Sequence, residues 1–389
     1  MRLEEMQAAL RAEGLDGWLF FDHHRRDPLA YRVLQCTPNS PVTRRWFYYV
    51  PANGEPRGLA HRIEAQTLDA LPGKHSTYSD WDGLSAELRT MLKGARRVAM
   101  QYSPNCAVPS VSMVDAGTVE LVRGLGVEVA TSANLIQYFE SRWTREQLDG
   151  HLEAGRKVDK VRREAFDRVG AKLRARERVT EWEMQQFILK RFAEEGLVND
   201  HGPDVAVNAN ASNPHYEPKA DACSEIKTGD VVLMDMWAKL DQPESVYYDI
   251  TWIGFCGQQP PAEVERIFGI VREARDRAVR RVVDAVSSKR ELRGYEVDDA
   301  ARSYIQEQGL GDYFFHRTGH SIGSDVHGTG ANMDNLETRE ERLVLPRTCF
   351  SIEPGIYLPE FGVRSELNML VRPKAAEVTG KIQNEIVVI

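Results

Sequence analysis

The chain has 389 residues, 42% of them hydrophobic and 28% charged, with a formal net charge of -8. That length accommodates two domains with their own cores, and an acidic balance with no basic stripe excludes a nucleic-acid partner held through phosphate contacts. The five cysteines, Cys36, Cys106, Cys223, Cys256 and Cys349, are scattered, odd in number and never in a CxxC arrangement, so neither a disulfide framework nor a zinc knuckle is expected and a reducing cytoplasm fits.

The opening stretch MRLEEMQAALRAEGLDG lacks the unbroken apolar core of a secretory signal and reads as an amphipathic helix ending at Gly14. No apolar run reaches the ~20 residues needed to span a bilayer, so a cytoplasmic protein without a membrane partner is expected. Residues 1–140 read as an α/β domain. Strand candidates at 16–21, 45–50, 97–102 and 127–132 alternate with helical patterns at 61–71, 82–93 and 110–124. The cluster Asp22, His23, His24 and Asp27 has metal-binding residue types but no partner carboxylates at helical or strand spacing, which favours a plain loop.

Residues 141–389 read as a second, α+β domain. A charged helical stretch to about residue 171 opens it, and Thr180 with Glu183 three residues on has the form of a capping box. VVLMDMWAKLDQPESVYYDITWIGF, residues 231–255, predicts a β-hairpin carrying one acid in each apolar strand, Asp235 and Asp249. A carboxylate buried there requires a counter-charge or a metal. Taken alone, the pair is equally compatible with edge or turn acids facing water. Two amphipathic helices, 260–286 and 295–308, precede a Gly- and His-rich loop, and the remainder is β-rich, so helices covering one face of a curved sheet are expected.

HRTGHSIGSDVHG, residues 316–328, places His320 and His327 among Gly319, Gly323 and Gly328, whose freedom allows imidazoles to converge. Glu353 follows in CFSIEPGIY and Glu366 in FGVRSELNM. Alternation along a strand puts Arg364 on the face of Glu366, and Thr251 beside Asp249, where its hydroxyl is placed to orient that carboxylate. Four carboxylates and one imidazole suit two divalent ions, with oxygen-rich ligation favouring Mn, Co or Zn. Two such ions ~3.5 to 4 Å apart activate a water and polarise a carbonyl, which predicts metal-assisted hydrolysis.

The order Asp, Asp, His, Glu, Glu in DMWAKLDQPESVYYDIT, GHSIGSDVH, SIEPGIY and GVRSE resembles the "pita-bread" metallopeptidases, the superfamily of prolidase, aminopeptidase P and methionine aminopeptidase. The resemblance implies a C-terminal pita-bread catalytic domain preceded by a creatinase-type N-terminal domain. It implies Asp235 as a chelating ligand of one metal, Asp249 and Glu366 as bridging carboxylates, and His320 and Glu353 as ligands of the other. Glu353 would also act as general base toward the bridging water and hand the proton to the leaving amine. His215, in ANASNPHYEP, and His327 match the two non-ligand histidines that hold substrate and stabilise the tetrahedral intermediate.

The N-terminal domain argues against methionine aminopeptidases, and five intact ligands argue against creatinase and against a non-catalytic binding protein of this fold. An Xaa-Pro dipeptidase (prolidase) acting on short proline-containing peptides is expected, with aminopeptidase P as the alternative, two Mn ions as cofactors and a homodimer by resemblance. A dipeptidase must hold a free carboxylate, for which a bidentate Arg is suited. Arg339 lies fourteen positions before Glu353, where some prolidases carry such an Arg, although a solvated loop charge is nearly as good a reading. Arg364 lies in the site itself. Trp237 and Trp252 replace the usual Gly and Arg, and the turn between Asp235 and Asp249 is longer than usual, which bears on the substrate more than on the ligands.

Overall fold

The computed structural model describes residues 1–37 and 41–389, and it divides into two compact units, Met1–Glu140 and Ser141–Ile389. In the first, β1 (Gly17–Asp22), β2 (Trp46–Pro51), β3 (Arg57–His61), β4 (Lys74–Tyr78), β5 (Arg97–Met100) and β6 (Glu128–Thr131) form one sheet in the order β4-β3-β2-β1-β5-β6. Strand β1 is apolar on both faces because both are covered. Trp18 and Phe20 pack in a core with α1 (Leu3–Ala12) and α2 (Pro28–Leu34), while Leu19 and Phe21 pack with α3 (Trp81–Met91) and α4 (Ala116–Gly124). A last helix, α5 (Ala133–Glu140), closes the unit on the first of these faces.

Three local readings change. β3 and the edge strand β4 are short and partly polar, with an alternation too brief to read from sequence, and the helical pattern at 61–71 is a 3₁₀ segment, Arg62–Leu68. The pattern at 110–124 shortens to α4, because Asp115 accepts a hydrogen bond from the Thr118 N–H and starts the helix there. The acids of the DHHRRD loop serve the backbone. Asp22 accepts from the N–H groups of Arg25, Arg26 and Asp27 at 2.9, 2.7 and 3.0 Å, and Asp27 caps α2 through the Ala30 N–H at 2.9 Å.

The second unit begins with α6 (Arg145–Arg174) and α7 (Glu181–Glu194), each started by a Thr capping box, at Thr144 and Thr180. Strands β7 (Leu197–Val198) and β8 (Asp204–Val207) pair with β9 (Val231–Leu240), which forms the long hairpin with β10 (Tyr248–Phe255). Helices α8 (Ala262–Ser287) and α9 (Gly294–Glu307) follow. Next come β11 (Ser321–Ile322), β12 (Cys349–Ile352), β13 (Gly355–Tyr357), β14 (Gly362–Arg364), β15 (Leu367–Val371), β16 (Ala376–Thr379) and β17 (Val387–Val388). The sheets run β17-β10-β9-β7 with β8 also on β9, β11-β12-β15-β16, and the pair β13-β14. Helices pack on both faces of the hairpin, where the sequence suggested one.

The two-residue period of β9 explains where the site lies. Val232, Met234, Met236 and Ala238 point into a core with α6 and α7, whereas Val231 and Leu233 point into the core under α8 and α9. Asp235 is the next residue of that second row. On β10, Ile253 and Phe255 belong to the same row, followed toward the turn by Thr251 and Asp249. Register pairs Thr251 with Asp235 and Asp249 with Trp237, so the acids share one face at the end of an apolar core.

Inside this unit His151 on α6 is fully buried, with Nδ1 2.7 Å from the Tyr247 carbonyl oxygen and Nε2 2.7 Å from Thr379 Oγ1. Nδ1 donates to the carbonyl and Nε2 accepts from the hydroxyl, so the neutral ring is fully satisfied. Burial depresses the imidazole from its ordinary 6.5 to about 4. The unfolded chain binds this proton near pH 6.5 and the folded chain holds it off until about pH 4. The contribution is therefore intact above pH 6.5 and is lost as pH falls through that window, by about 3 kcal/mol in all. Urea midpoints of wild type and His151→Asn should converge between pH 7 and pH 4.5; parallel profiles would show that His151 does not carry this acid sensitivity.

Candidate metal centre

The face of the hairpin bearing Asp235 and Asp249 meets the loop 316–328 and strands β12 to β15 at a cavity of about 430 Å³, lined among others by Asp235, Asp249, His320, Glu353 and Glu366. Gly319 brings the loop into place. A Cβ there would lie 1.9 Å from the Ser351 carbonyl oxygen, so only glycine lets the loop lie against β12. The adjoining His320 is then fixed by its own N–H donating to Ser351 Oγ at 2.9 Å.

Asp249, His320 and Glu366 are buried, and each turns one ligand-type atom into a group within 4.8 Å. His320 Nε2 lies 3.5 Å from Asp249 Oδ2 and 3.3 Å from Glu353 Oε1, while Nδ1 is 3.2 Å from the Ser321 carbonyl oxygen. A carbonyl only accepts, so Nδ1 carries a proton; Nε2 faces the carboxylates, donating to them when the ring is protonated and free to offer its lone pair to a metal when it is not. Glu353 is oriented by Ser351 Oγ, which donates to its Oε1 at 2.9 Å. Asp249 Oδ1 and Glu366 Oε1 are buried and make no hydrogen bond among the described residues.

Burial, together with the negative charges of Asp249, Glu353 and Asp235, pushes Glu366 well above the usual carboxylate range. Burial and Asp235 push Asp249 up, against the opposing hydrogen bond to His320. Burial lowers His320, but Asp249 and Glu353 outweigh it and hold the imidazole above its ordinary value. A set of buried acids that cannot all ionise beside one another, with two oxygens lacking donors, fits divalent cations.

Arg364 is the built-in counter-charge. It is buried, pairs through Nη2 with Asp235 Oδ2, and donates to Thr251 Oγ1 at 3.0 Å and to the Tyr357 hydroxyl at 3.1 Å. Tyr357 continues the chain to His316 Nε2 at 2.7 Å. The Thr251 hydroxyl lies 3.1 Å from Asp235 Oδ1 and 2.8 Å from Glu366 Oε2. It therefore orients those two carboxylates and not Asp249, because the hairpin register sets it opposite Asp235.

The histidines read as substrate-holding groups, His215 and His327, both line the cavity. His215 is exposed in an Asn-Pro-His turn that Asn213 Oδ1 closes on its N–H at 3.1 Å, and the His327 ring stands 4.3 Å from that of His320. Arg339 does not line the cavity. Its Nε bonds Glu341 at 2.8 Å, its guanidinium lies 4.6 Å from the centre of the Tyr295 ring, and its side chain is 63% exposed. The solvated-loop reading is the one its surroundings match. Arg364 lines the cavity, with three of its five N–H donors taken by Thr251, Tyr357 and Asp235 and its charge paired with Asp235.

The two tryptophans part company. Trp237 forms part of the cavity wall, its Nε1 donating to Asp200 Oδ1 at 3.0 Å and its ring 4.7 Å from that of His201. Trp252 packs in the core beside α6, with the Arg162 guanidinium 3.5 Å from its ring centre. The long hairpin turn braces the histidine loop, for Lys239 Nζ donates to the Ser324 carbonyl at 2.6 Å and the Tyr247 N–H to Gly323 at 3.0 Å. The lining residues not assigned from sequence include Asp204, His201, His316 and Arg317. Asp204 enters through the β8–β9 register, which pairs it with Asp235, and burial followed by the Asp235 charge pushes it up to about 8. His316 and Arg317 stand just ahead of the Gly-His pair, and that proximity was the available signal.

Comparison with known proteins follows the same lines. The chain is 33% identical over 162 residues to an Xaa-Pro dipeptidase of Pyrococcus furiosus, covering 41% of this chain and 42% of that protein. The first curated relatives are matched over only 42% to 63% of their own length. Among solved structures, dipeptidase PepE from Mycobacterium ulcerans superposes with a TM-score of 0.71 at 24% identity, over 100% of this chain and 96% of that one. An X-Pro aminopeptidase from Thermotoga maritima gives 0.61 at 19% identity, over 98% and 100%. These likenesses show a shared fold: a pita-bread domain with an N-terminal domain before it. The model of metallopeptidase family M24 matches residues 149–373, more than half of the chain, and the chain belongs to that family.

Proposed function

We propose that this protein is a metal-dependent peptidase that hydrolyses the Xaa-Pro bond of dipeptides. The observation that carries the metal requirement is the pair of buried, donorless oxygens on Asp249 and Glu366, two carboxylates that group with His320. Asp235, Asp249, His320, Glu353 and Glu366 would hold two divalent ions, Mn being the proposed metal. Bound there, the ions supply Lewis-acid polarisation of the scissile carbonyl and lower the pKa of water.

The residues supply the proton traffic. Glu353, steadied by Ser351 and half-buried, takes a proton from the attacking water and returns it to the proline nitrogen as the C–N bond breaks. His327 and His215 line the same cavity and donate to the oxygen that becomes negative in the tetrahedral intermediate. Arg364 and Thr251 keep Asp235 and Glu366 oriented. No helix among the described residues is long and apolar enough to cross a membrane, and a cytoplasmic homodimer belongs to this reading.

The test is product analysis of Mn-reconstituted protein with an Xaa-Pro dipeptide and, separately, an Xaa-Pro-Yaa tripeptide. Turnover of the dipeptide alone is the expected result. Turnover mainly of the tripeptide would replace this reading with aminopeptidase P, and cleavage of neither at two metals per chain would remove both.

A further inference from the structure

Resting on the dipeptidase reading, we infer that Arg317 is the anchor for the free C-terminal carboxylate of the substrate. Apart from histidines, the cavity is lined by two cationic side chains, Arg317 and Arg364. Arg364 is spent on Asp235, Thr251 and Tyr357. Other arginines of the loop region are likewise committed: Arg302 to Asp298, Arg342 to Glu340 and Arg339 to Glu341. The Arg317 guanidinium makes no ion pair or hydrogen bond among the described residues, although its backbone is fixed, its N–H donating to Glu337 Oε1 at 3.2 Å. A half-buried guanidinium at a cavity wall, with its five donors uncommitted, is suited to a carboxylate brought by a ligand.

The placement of the charged side chains gives a dipeptide a preferred direction of entry. Arg317 stands three residues before His320, and its positive charge acts on His316, His320 and His327. On the hairpin side, Asp204 is paired across β8–β9 with Asp235, and the Asp235, Glu217 and Asp249 charges bear on it. The hairpin wall thus carries these acids, and the loop wall carries the uncommitted Arg317 guanidinium with Glu337 next to its backbone. With Asp235 and Asp249 assigned to metal, a dipeptide whose carboxylate meets Arg317 would turn its ammonium group to the hairpin side, where Asp204 also lines the cavity. A longer peptide has no carboxylate at that distance, so the same contact would favour dipeptides over tripeptides.

The experiment compares Ala-Pro with its C-terminal amide, Ala-Pro-NH2, on Mn-loaded wild type, Arg317→Gln and Arg317→Lys. Wild type should favour the acid over the amide in kcat/KM by on the order of 100-fold, as expected for a charged partner left unpaired. In Arg317→Gln that ratio should collapse toward one, mainly through a higher KM for the acid, with Arg317→Lys between. Calorimetric titration with proline and prolinamide should show the same loss of discrimination in binding alone. A wild-type ratio near one, or a ratio unchanged in Arg317→Gln at equal metal content, would overturn the assignment while leaving the dipeptidase reading intact. Failure of wild type to cleave Ala-Pro at all would overturn that reading and the anchor with it.

Discussion

Glu366→Gln is expected to lower kcat/KM roughly 10³-fold, since it removes a ligand charge and the electrostatic stabilisation that depends on it, and to lower metal content below two ions per chain. The same substitution should stabilise the metal-stripped protein. Glu366 is buried beside Asp249 and Glu353, and these neighbours and burial all disfavour its ionised form. An isosteric amide relieves that repulsion, by on the order of 1 kcal/mol or more. That is a rise of roughly 2–4 °C in Tm per kcal/mol for a domain of this size. The two effects have opposite signs, so they separate a metal ligand from a structural acid. Melting curves with and without Mn would decide. A variant that melts lower than wild type when stripped, or still gains as much from Mn, would mean that Glu366 is not holding metal.

Arg364→Gln should be the most destabilising single change at the site, by about 3–5 kcal/mol in the metal-stripped protein, because breaking a buried pair leaves an uncompensated charge on Asp235. Three acceptors lose their donor at once: Asp235, Thr251 Oγ1 and the Tyr357 hydroxyl. Divalent metal supplies a competing counter-charge to Asp235, so the destabilisation should shrink when Mn is present. Denaturant titrations of wild type and variant, each with and without Mn, give this difference directly. An equal loss in both conditions would show that Arg364 acts through packing alone, independent of the acids.

The hairpin, the helices and the ligand-type residues are legible because each has a local cause. The alternation of VVLMDMWAKL specifies a strand, the capping box at Thr180 starts a helix, and acids placed within apolar runs advertise a buried site. The β3 and β4 strands were not legible, since RGLAH and KHSTY carry too few apolar positions to show a period and exist because the neighbouring sheet edge supplies their hydrogen bonds. Asp249 and Thr251 are on one face by strand parity alone, which sequence supplies, whereas Asp235 joins that face through the hairpin register. Whether Thr251 serves Asp249 or Asp235 depends on cross-strand register, which sequence does not supply.

By itself, then, the sequence determined which side chains are chemically suited to hold metal and move protons, because residue type and local periodicity are intrinsic to the chain. Only the tertiary structure decided how the charges are shared out: Arg364 committed to Asp235, Arg339 turned to Glu341 outside the cavity, and Arg317 left uncommitted on its wall. Asp204, an ordinary acid at the start of a short strand, joined the site through β-pairing with Asp235. Pairing of long, flexible charged side chains depends on which backbones are brought within a few ångströms of one another, and distance in the chain carries no record of that.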